Sequence, residues 1–348
     1  MCKLILLLTI VAASCTTTWA QKSKSLDIYF IDVEGGQSTL FVTPTGQSML
    51  VDTGWPGGRD ADRILGVTKK AGISQIDYLV VTHYHIDHAG AAGDVASRIP
   101  IRTFIDHGPN VEEAPATKKN YDTYLPVRKK GKYILAQPGQ RLPVTGIDVR
   151  VVTAAGKTIT KPLPGAGAPN PLCQGFEPKN GDLVGGENQQ SVGMIITLGK
   201  FRMADFGDLT WNREHDLACP NNLLGMVDLY LVTHHGREIS GLPMLVYALQ
   251  PRAAIMNDGA NKGGDVATFE RLAKSPGLQN LWQLHFAVGA KDANAPEQFI
   301  ANTGVGGTAT SGVPDEVASY ISVSAKPDGS FSVTNSRNGF HREYGPRQ

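Results

Sequence analysis

The stretch Thr82-His-Tyr-His-Ile-Asp-His88 decides the reading of this chain. It packs four side chains able to hold a metal, His83, His85, Asp87 and His88, directly behind the apolar run 76–81. Neutral imidazole nitrogen and ionised carboxylate oxygen are the donors a borderline divalent ion such as Zn2+ takes, and Mn2+ or Fe2+ uses the same set. Side chains in extended backbone repeat every second residue, so His83 and His85 leave the strand on one side and Tyr84 on the other, toward packing. Asp87 and His88 fall where the chain turns and reach a second position close by. That pattern suits two ions rather than one.

Working outward, short strands alternate with helices. Segments 26–33 and 39–44 read as strands around Glu34-Gly-Gly-Gln37, and 48–51 runs into Asp52-Thr-Gly54. Helical signals cover 60–71, 89–98 and 116–130, and strand 101–105 ends at Asp106-His-Gly108. Composition shifts to Gly, Pro, Asn and Lys over about 155–190, which reads as a surface insertion in a single domain spanning 21–348. The second half repeats the scheme. A hairpin, 191–198 and 201–206, ends at Gly207-Asp208, and strand 227–232 ends at Thr233-His-His-Gly236. Helices 212–217, 243–249 and 266–273 alternate with strands 253–257 and 281–285. The glycine-rich run 303–313 reads as a loop, and a last hairpin, 318–324 and 330–335, turns at Pro327-Asp-Gly329.

The 348 residues carry a formal charge of +1, with acids and bases mixed throughout and no basic block longer than Arg128-Lys-Lys130. Stable nucleic-acid binding by phosphate neutralisation is therefore not expected. Met1–Ala20 reads as a secretory signal: Lys3, an apolar run over 4–13, then a small-residue site ending Thr18-Trp-Ala20. The expected product is secreted or periplasmic. Ala12-Ala-Ser-Cys15 faintly resembles a lipoprotein box, which leaves a lipid anchor through Cys15 as the lesser alternative. No apolar run is long enough to span a bilayer as a helix. Cleavage after Ala20 would leave Cys173 and Cys219, which either pair or stay free; their spacing does not choose.

The ordered set Asp52-Thr-Gly54, His83-x-His85-x-Asp87-His88, Gly207-Asp208 and His234-His235-Gly236 resembles the metallo-β-lactamase superfamily, over roughly 26–335. Asp32-Val-Glu-Gly-Gly-Gln37 and the His-His-Gly ending resemble the exported hydrolase domain of bacterial DNA-uptake competence proteins and the choline-phosphate esterases of cell walls. The resemblance implies an α/β fold, a four-layer αββα sandwich of two mixed β-sheets flanked by helices, with metal at one edge. It implies that His83 and His85 bind a first ion, that Asp87, His88 and His234 bind a second, and that Asp208 bridges them. Asp52 would orient a liganding imidazole. His235 would stay free for proton transfer, although it can exchange roles with its neighbour His234. The family's usual third histidine is missing: the stretch before strand 191–198 reads Glu187-Asn-Gln-Gln-Ser191. Asn188 and Ser191 stand there instead, so the first position has fewer donors. His107 is expected to contact substrate.

Two ions sharing a water lower its pKa and polarise the bond it attacks. A bridging Asp208 adds negative charge and favours phosphate esters over β-lactams. The expected activity is an exported, zinc-dependent phosphodiesterase acting on a small-molecule or cell-envelope phosphoester, with Asp87, Asp208 and His235 in the chemistry. A metallo-β-lactamase is the alternative. A catalytically weak binding module of a surface or uptake assembly is the second, motivated by the missing histidine.

Overall fold

The computed structural model describes residues 25–178, 186–304 and 318–347. The expected signal 1–20 with Cys15, part of the insertion and most of the glycine-rich run lie outside the described residues.

Six strands open the chain: β1 (Leu26–Phe30), β2 (Thr39–Val42), β3 (Ser48–Val51), β4 (Ile76–Val80), β5 (Ile101–Asp106) and β6 (Lys132–Leu135). The next nine are β7 (Arg141–Leu142), β8 (Asp148–Ala154), β9 (Lys157–Thr158), β10 (Gly193–Leu198), β11 (Phe201–Asp205), β12 (Leu229–Leu231), β13 (Ala253–Met256), β14 (Asn280–His285) and β15 (Ile300–Asn302). The last three, β16 (Ile321–Ala325), β17 (Phe331–Asn335) and β18 (His341–Tyr344), return to the first sheet, whose order is β18-β17-β16-β1-β2-β3-β4-β5-β6. The second sheet runs β15-β14-β13-β12-β11-β10-β8-β7, with β9 on β8.

Both sheets are mixed. In the first, β3 through β6 are parallel. In the second, β11 through β15 are parallel. Parallel neighbours need crossover connections, and helices supply most of them. α1 (Arg59–Lys70), α2 (Ile86–Ala89), α3 (Ala92–Arg98) and α4 (Pro115–Arg128) follow β3, β4 and β5, while α5 (Trp211–Ala218), α6 (Pro243–Leu249) and α7 (Val266–Ala273) follow β11, β12 and β13.

Three apolar layers hold the arrangement together. Between the sheets, Ile28, Met49, Val51 and Ile105 meet Val149, Val151, Met194 and Ile255. Outside the first sheet, Leu40, Leu50 and Leu79 pack on Ile64, Val67, Val95 and Tyr124. Outside the second, Ile195, Ala204 and Tyr230 pack on Leu217, Leu245, Val246 and Phe269. Strands buried on both faces read as near-continuous apolar runs, which is why β13 is so hydrophobic. This is the expected four-layer αββα sandwich.

Several boundaries differ from the sequence reading. It assigns nothing between 131 and 153, where β6, β7 and β8 lie. The alternation of Val149 and Val151 with Arg150 is a period-two signal for β8. The two-residue β7 is too short to leave one. Strands β15 and β18 were also unassigned. The helix expected over 89–98 is two helices, α2 and α3.

Cys173 and Cys219 form a disulfide. It ties the described part of segment 155–190 to the end of α5, beside a bridge between Pro169 and Asn221.

Candidate metal centre

Parallel strands point the same way, so their carboxyl ends line one rim, and that rim is where an open α/β sheet places its chemistry. Asp52 follows β3, His83–His88 follow β4, Asp208 follows β11 and His234 and His235 follow β12. The rims of the two sheets are stitched together. Val192 N donates to Thr82 O (2.9 Å) and Gln37 Nε2 to Asp205 Oδ1 (3.1 Å).

Asp87, His88, Asp208 and His235 each offer one donor atom, and these four atoms all lie within 4.8 Å of one another. His88 Nε2 is 3.3 Å from Asp208 Oδ1 and 3.4 Å from Asp87 Oδ2. His235 Nε2 is 3.3 Å from both Asp87 Oδ2 and Asp208 Oδ2. All four residues are buried.

The remaining histidines surround this group. His234 Nε2 reaches Asp208 Oδ2 at 3.3 Å and His83 Nε2 approaches it at 4.0 Å. His85 Nδ1 lies 3.0 Å from His83 Nε2. Asp208 Oδ2 is thus the point on which both halves of the site converge. His83, His85 and Asp208 do not form a second group of three donors within that radius among the described residues, in keeping with the missing third histidine.

Hydrogen bonds at the far ring nitrogens set which nitrogen faces inward, as the partners of metal-liganding imidazoles do. Asp52 Oδ2 accepts from His88 Nδ1 (2.7 Å), which leaves Nε2 for the centre. Thr82 Oγ1 donates to Asp52 Oδ2 (2.7 Å), so its lone pair is open to His83 Nδ1 (3.1 Å). Ser240 Oγ donates to Leu209 O (2.7 Å) and accepts from His234 Nδ1 (3.0 Å). Glu112 Oε2 takes His85 Nε2 (3.1 Å), leaving Nδ1 inward. His235 is the exception, for its Nδ1 is buried without a hydrogen-bond partner.

Neighbouring charges set the ionisation of the central groups. Burial opposes ionisation of Asp208, but His234, His235 and His88 outweigh it and hold the carboxyl well below the usual range. Burial likewise opposes ionisation of Asp87, outweighed by His88 and Lys262, so its carboxyl also lies well below that range. Burial alone would lower His88, yet Asp208, Asp87 and Asp52 raise it well above an ordinary imidazole. Burial drives His83 well below, helped by His88 and His85. The donor group is therefore two ionised carboxylates, Asp87 and Asp208, among imidazoles whose Nε2 atoms face them. Asp208 Oδ1, buried at the centre, makes no well-aligned hydrogen bond. This donor set fits a divalent ion.

Backbone strain marks the same rim. Asp52, His234 and His235 hold φ of 60°, 58° and 56°, left-handed values that non-glycine residues seldom take and that cluster at functional sites.

Residues 32–186 match the family described as the metallo-beta-lactamase superfamily. The matched stretch, which holds Asp52, His83, His85, Asp87 and His88, resembles that superfamily. Over 232 residues the chain is 25% identical to Recombination protein 2 of Haemophilus influenzae, a match covering 66% of this chain and 24% of that protein. The chain thus spans about a quarter of the length of that relative. Among solved structures it is similar to the metallo-beta-lactamase fold protein YhfI from Bacillus subtilis, at 13% identity and TM-score 0.44, covering 74% of this chain and 96% of that one. It is also similar to Igni18, a metallo hydrolase from Ignicoccus hospitalis, at 14% identity and TM-score 0.44, covering 74% of this chain and 94% of that one.

The two adjacent histidines, interchangeable by sequence, both bring Nε2 to 3.3 Å from Asp208 Oδ2. His235, expected to stay free, stands in the four-donor group, and His234, expected as a ligand, flanks Asp208 with its ring tied to Ser240. His107, expected to contact substrate, is buried: its Nε2 lies 2.9 Å from Glu187 Oε2 and its ring packs on Tyr84. Glu187 also accepts from Tyr84 N (3.0 Å) and Val111 N (2.8 Å), a strut where the family's third histidine is absent. Ser191 Oγ accepts from Asp208 N (3.2 Å), and Asn188 Oδ1 is buried without a partner among the described residues.

Sequence reasoning missed Glu112, Ser240 and Lys262. Glu112 and Ser240 sit in loops where no spacing rule applies. Lys262 had a faint signal, since its loop follows β13 as the recognised motifs follow their own strands.

Proposed function

We propose that this protein is an exported metal-dependent phosphodiesterase. The observation that carries the reading is Asp208, a buried carboxylate reached by imidazoles from both sheets. A divalent ion bound by Asp87, His88, His235 and Asp208, zinc being our assignment, supplies Lewis acidity toward water and the ester oxygens. A carboxylate at this position adds negative charge, which suits a phosphate ester better than a β-lactam. His83 and His85 offer a second, weaker position that shares Asp208.

The chain's own groups do the rest. Asp87 and Asp208 orient the attacking water by accepting its hydrogens. His234 is neutral at working pH, because burial lowers its pKa to about 4. Ser240 holds its Nδ1–H, so Nε2 is free to accept the water's proton and return it to the leaving oxygen as the P–O bond breaks. Water adds to phosphorus and an alcohol leaves, with no co-reactant.

Export is supported by the leader-like 1–20 and by the Cys173–Cys219 disulfide, a bond favoured outside the cytosol. The relative named for recombination is compatible with a phosphodiester-bearing substrate. The paired test is metal content with turnover of bis(p-nitrophenyl) phosphate and of nitrocefin. Bound divalent metal with diester turnover exceeding nitrocefin turnover is expected. The reverse order would make it a β-lactamase, and no metal with no turnover a binding module.

A further inference from the structure

Lys262 has no part in the donor set, yet its ammonium rests on Asp87 Oδ2. His88 Nε2 and His235 Nε2 also approach that oxygen, at 3.4 and 3.3 Å. Among the described residues, the ion pairs of Asp52, Asp87 and Asp208 involve this ammonium and otherwise only histidines. A divalent ion taken by Asp87 would face this ammonium across a few ångströms of low-dielectric space, and like charges there repel strongly.

The geometry gives the ammonium somewhere to go. The base of Lys262 is fixed: its carbonyl accepts from Gly259 N (2.8 Å), and its Cβ packs so closely on Gly35 that a Cβ there would lie 2.9 Å away. The same loop is tied to the donor group through Gly264 N to His235 O (2.9 Å). The tip is less confined. The Lys262 side chain is 29% exposed against 8% for Asp87, so it forms the solvent side of the centre. The Trp55 ring, with its centroid 4.9 Å from Nζ, already lies under the ammonium and holds it by cation–π attraction when it leaves Asp87.

We infer that Lys262 is the substrate-anion anchor of this centre, its ammonium passing from Asp87 to the charged non-bridging oxygen of a phosphodiester once Asp87 holds a divalent ion. This rests on the metal-dependent reading above and adds the class of substrate: a phosphodiester monoanion in preference to a neutral ester. A stem anchored at its root and a charged tip at the rim allow the swing without movement of the loop. The ligand chemistry is shared by nucleic-acid strands and by glycerophosphodiesters, so both are used as probes.

The test compares the metal-loaded parent with Lys262→Gln and Lys262→Arg. Metal per chain, diethyl phosphate affinity by calorimetry, and kcat and KM on bis(p-nitrophenyl) phosphate and p-nitrophenyl acetate are measured. Loss of one charge-assisted hydrogen bond predicts weaker diethyl phosphate binding and a higher diester KM, each by about ten- to hundredfold, in the Gln variant. The diester-to-acetate preference falls with them, metal content stays, and the Arg variant keeps most of the affinity. Unchanged diethyl phosphate affinity in the Gln variant overturns the assignment, as does loss of its metal, which would make Lys262 a support of the donor group. If the parent hydrolyses neither ester, the phosphodiesterase reading fails, while the calorimetry still decides on Lys262. Competition by thymidylyl-thymidine and by glycerophosphocholine then shows which source of phosphodiester the anchor prefers; failure of both to compete also counts against it.

Discussion

The Nε2 atoms of His88 and His235 stand 3.2 Å apart. Two neutral imidazoles that both present lone pairs cannot satisfy each other. His88 gives its Nδ1–H to Asp52, which turns its Nε2 toward His235 Nε2 and the two carboxylates. The carboxylates of Asp87 and Asp208 close on the same point. The sandwich thus assembles, before any ion arrives, a buried spot whose chemistry calls for positive charge.

Asp208→Ala should empty that spot. The substitution removes the carboxylate that His88, His234 and His235 all reach, and its side chain packs among imidazoles rather than in the apolar layers, so the fold should persist. Metal per chain is expected near zero, with diester turnover down by at least about a hundredfold and circular dichroism unchanged. Retained turnover would mean the bridging role is misassigned.

Asp52→Asn tests the orientation of His88. Asparagine tolerates the left-handed backbone at 52 better than most residues, so the loop should keep its shape. The amide is a weaker acceptor for His88 Nδ1 and Thr82 Oγ1. Metal affinity should fall about 10- to 100-fold, read by competition with a chelator of known strength.

Glu112→Ala should act, among the site's histidines, on His85, and more mildly, while also freeing Glu187 N and Thr117 Oγ1. The pair is partly open to solvent, 28% for His85 and 24% for Glu112, so its bond is worth less than the buried one at Asp52. A second equivalent of metal is expected to bind about tenfold more weakly, with the first unaffected. A Co2+-substituted sample whose two binding steps both shift would contradict this.

Replacing Cys173 and Cys219 by serine opens a link across 46 residues of sequence. Loss of loop closure predicts a stability decrease of about 2–4 kcal/mol in urea titrations. Diester turnover under native conditions should survive, because neither cysteine belongs to the donor group.

Glu214 gives the protein a pH dependence of defined sign. Its buried carboxylate accepts from Gly241 N (2.7 Å) and Leu242 N (2.9 Å), in the loop that carries Ser240. Burial raises its pKa from 4.5 to about 7. The folded state therefore holds this proton more tightly than the unfolded chain does. Its stabilising contribution is complete below about pH 4.5 and is lost as pH rises through about 7. Asp205 and Asp258, also raised to about 7, slope the same way, so the informative quantity is a difference. The thermal midpoint of metal-free protein should fall less steeply between about pH 4.5 and 7 in Glu214→Gln than in the parent, and equal slopes would exclude Glu214 as a contributor.

The sequence alone determined the alternating strands and helices and the first cluster of the rim, and the resemblance of its motifs implied the sandwich. Apolar runs ending in polar side chains are local patterns, and parallel pairing brings such ends to one edge whatever fills the loops. His83, His85, Asp87 and His88 are legible for that reason, and Asp208 and the 234–235 pair through the family resemblance of their motifs. Tertiary structure decided everything that depends on orientation across distant segments. Two consecutive left-handed residues turn His235 into the donor group and His234 toward Ser240, a choice of backbone that spacing does not encode. Glu112 and Lys262 reach the centre from loops 27 and 175 residues away from their partners, His85 and Asp87, and only closure of the fold brings them within bonding distance. The disulfide is of the same kind, because two cysteines far apart in sequence carry no record of their separation in space.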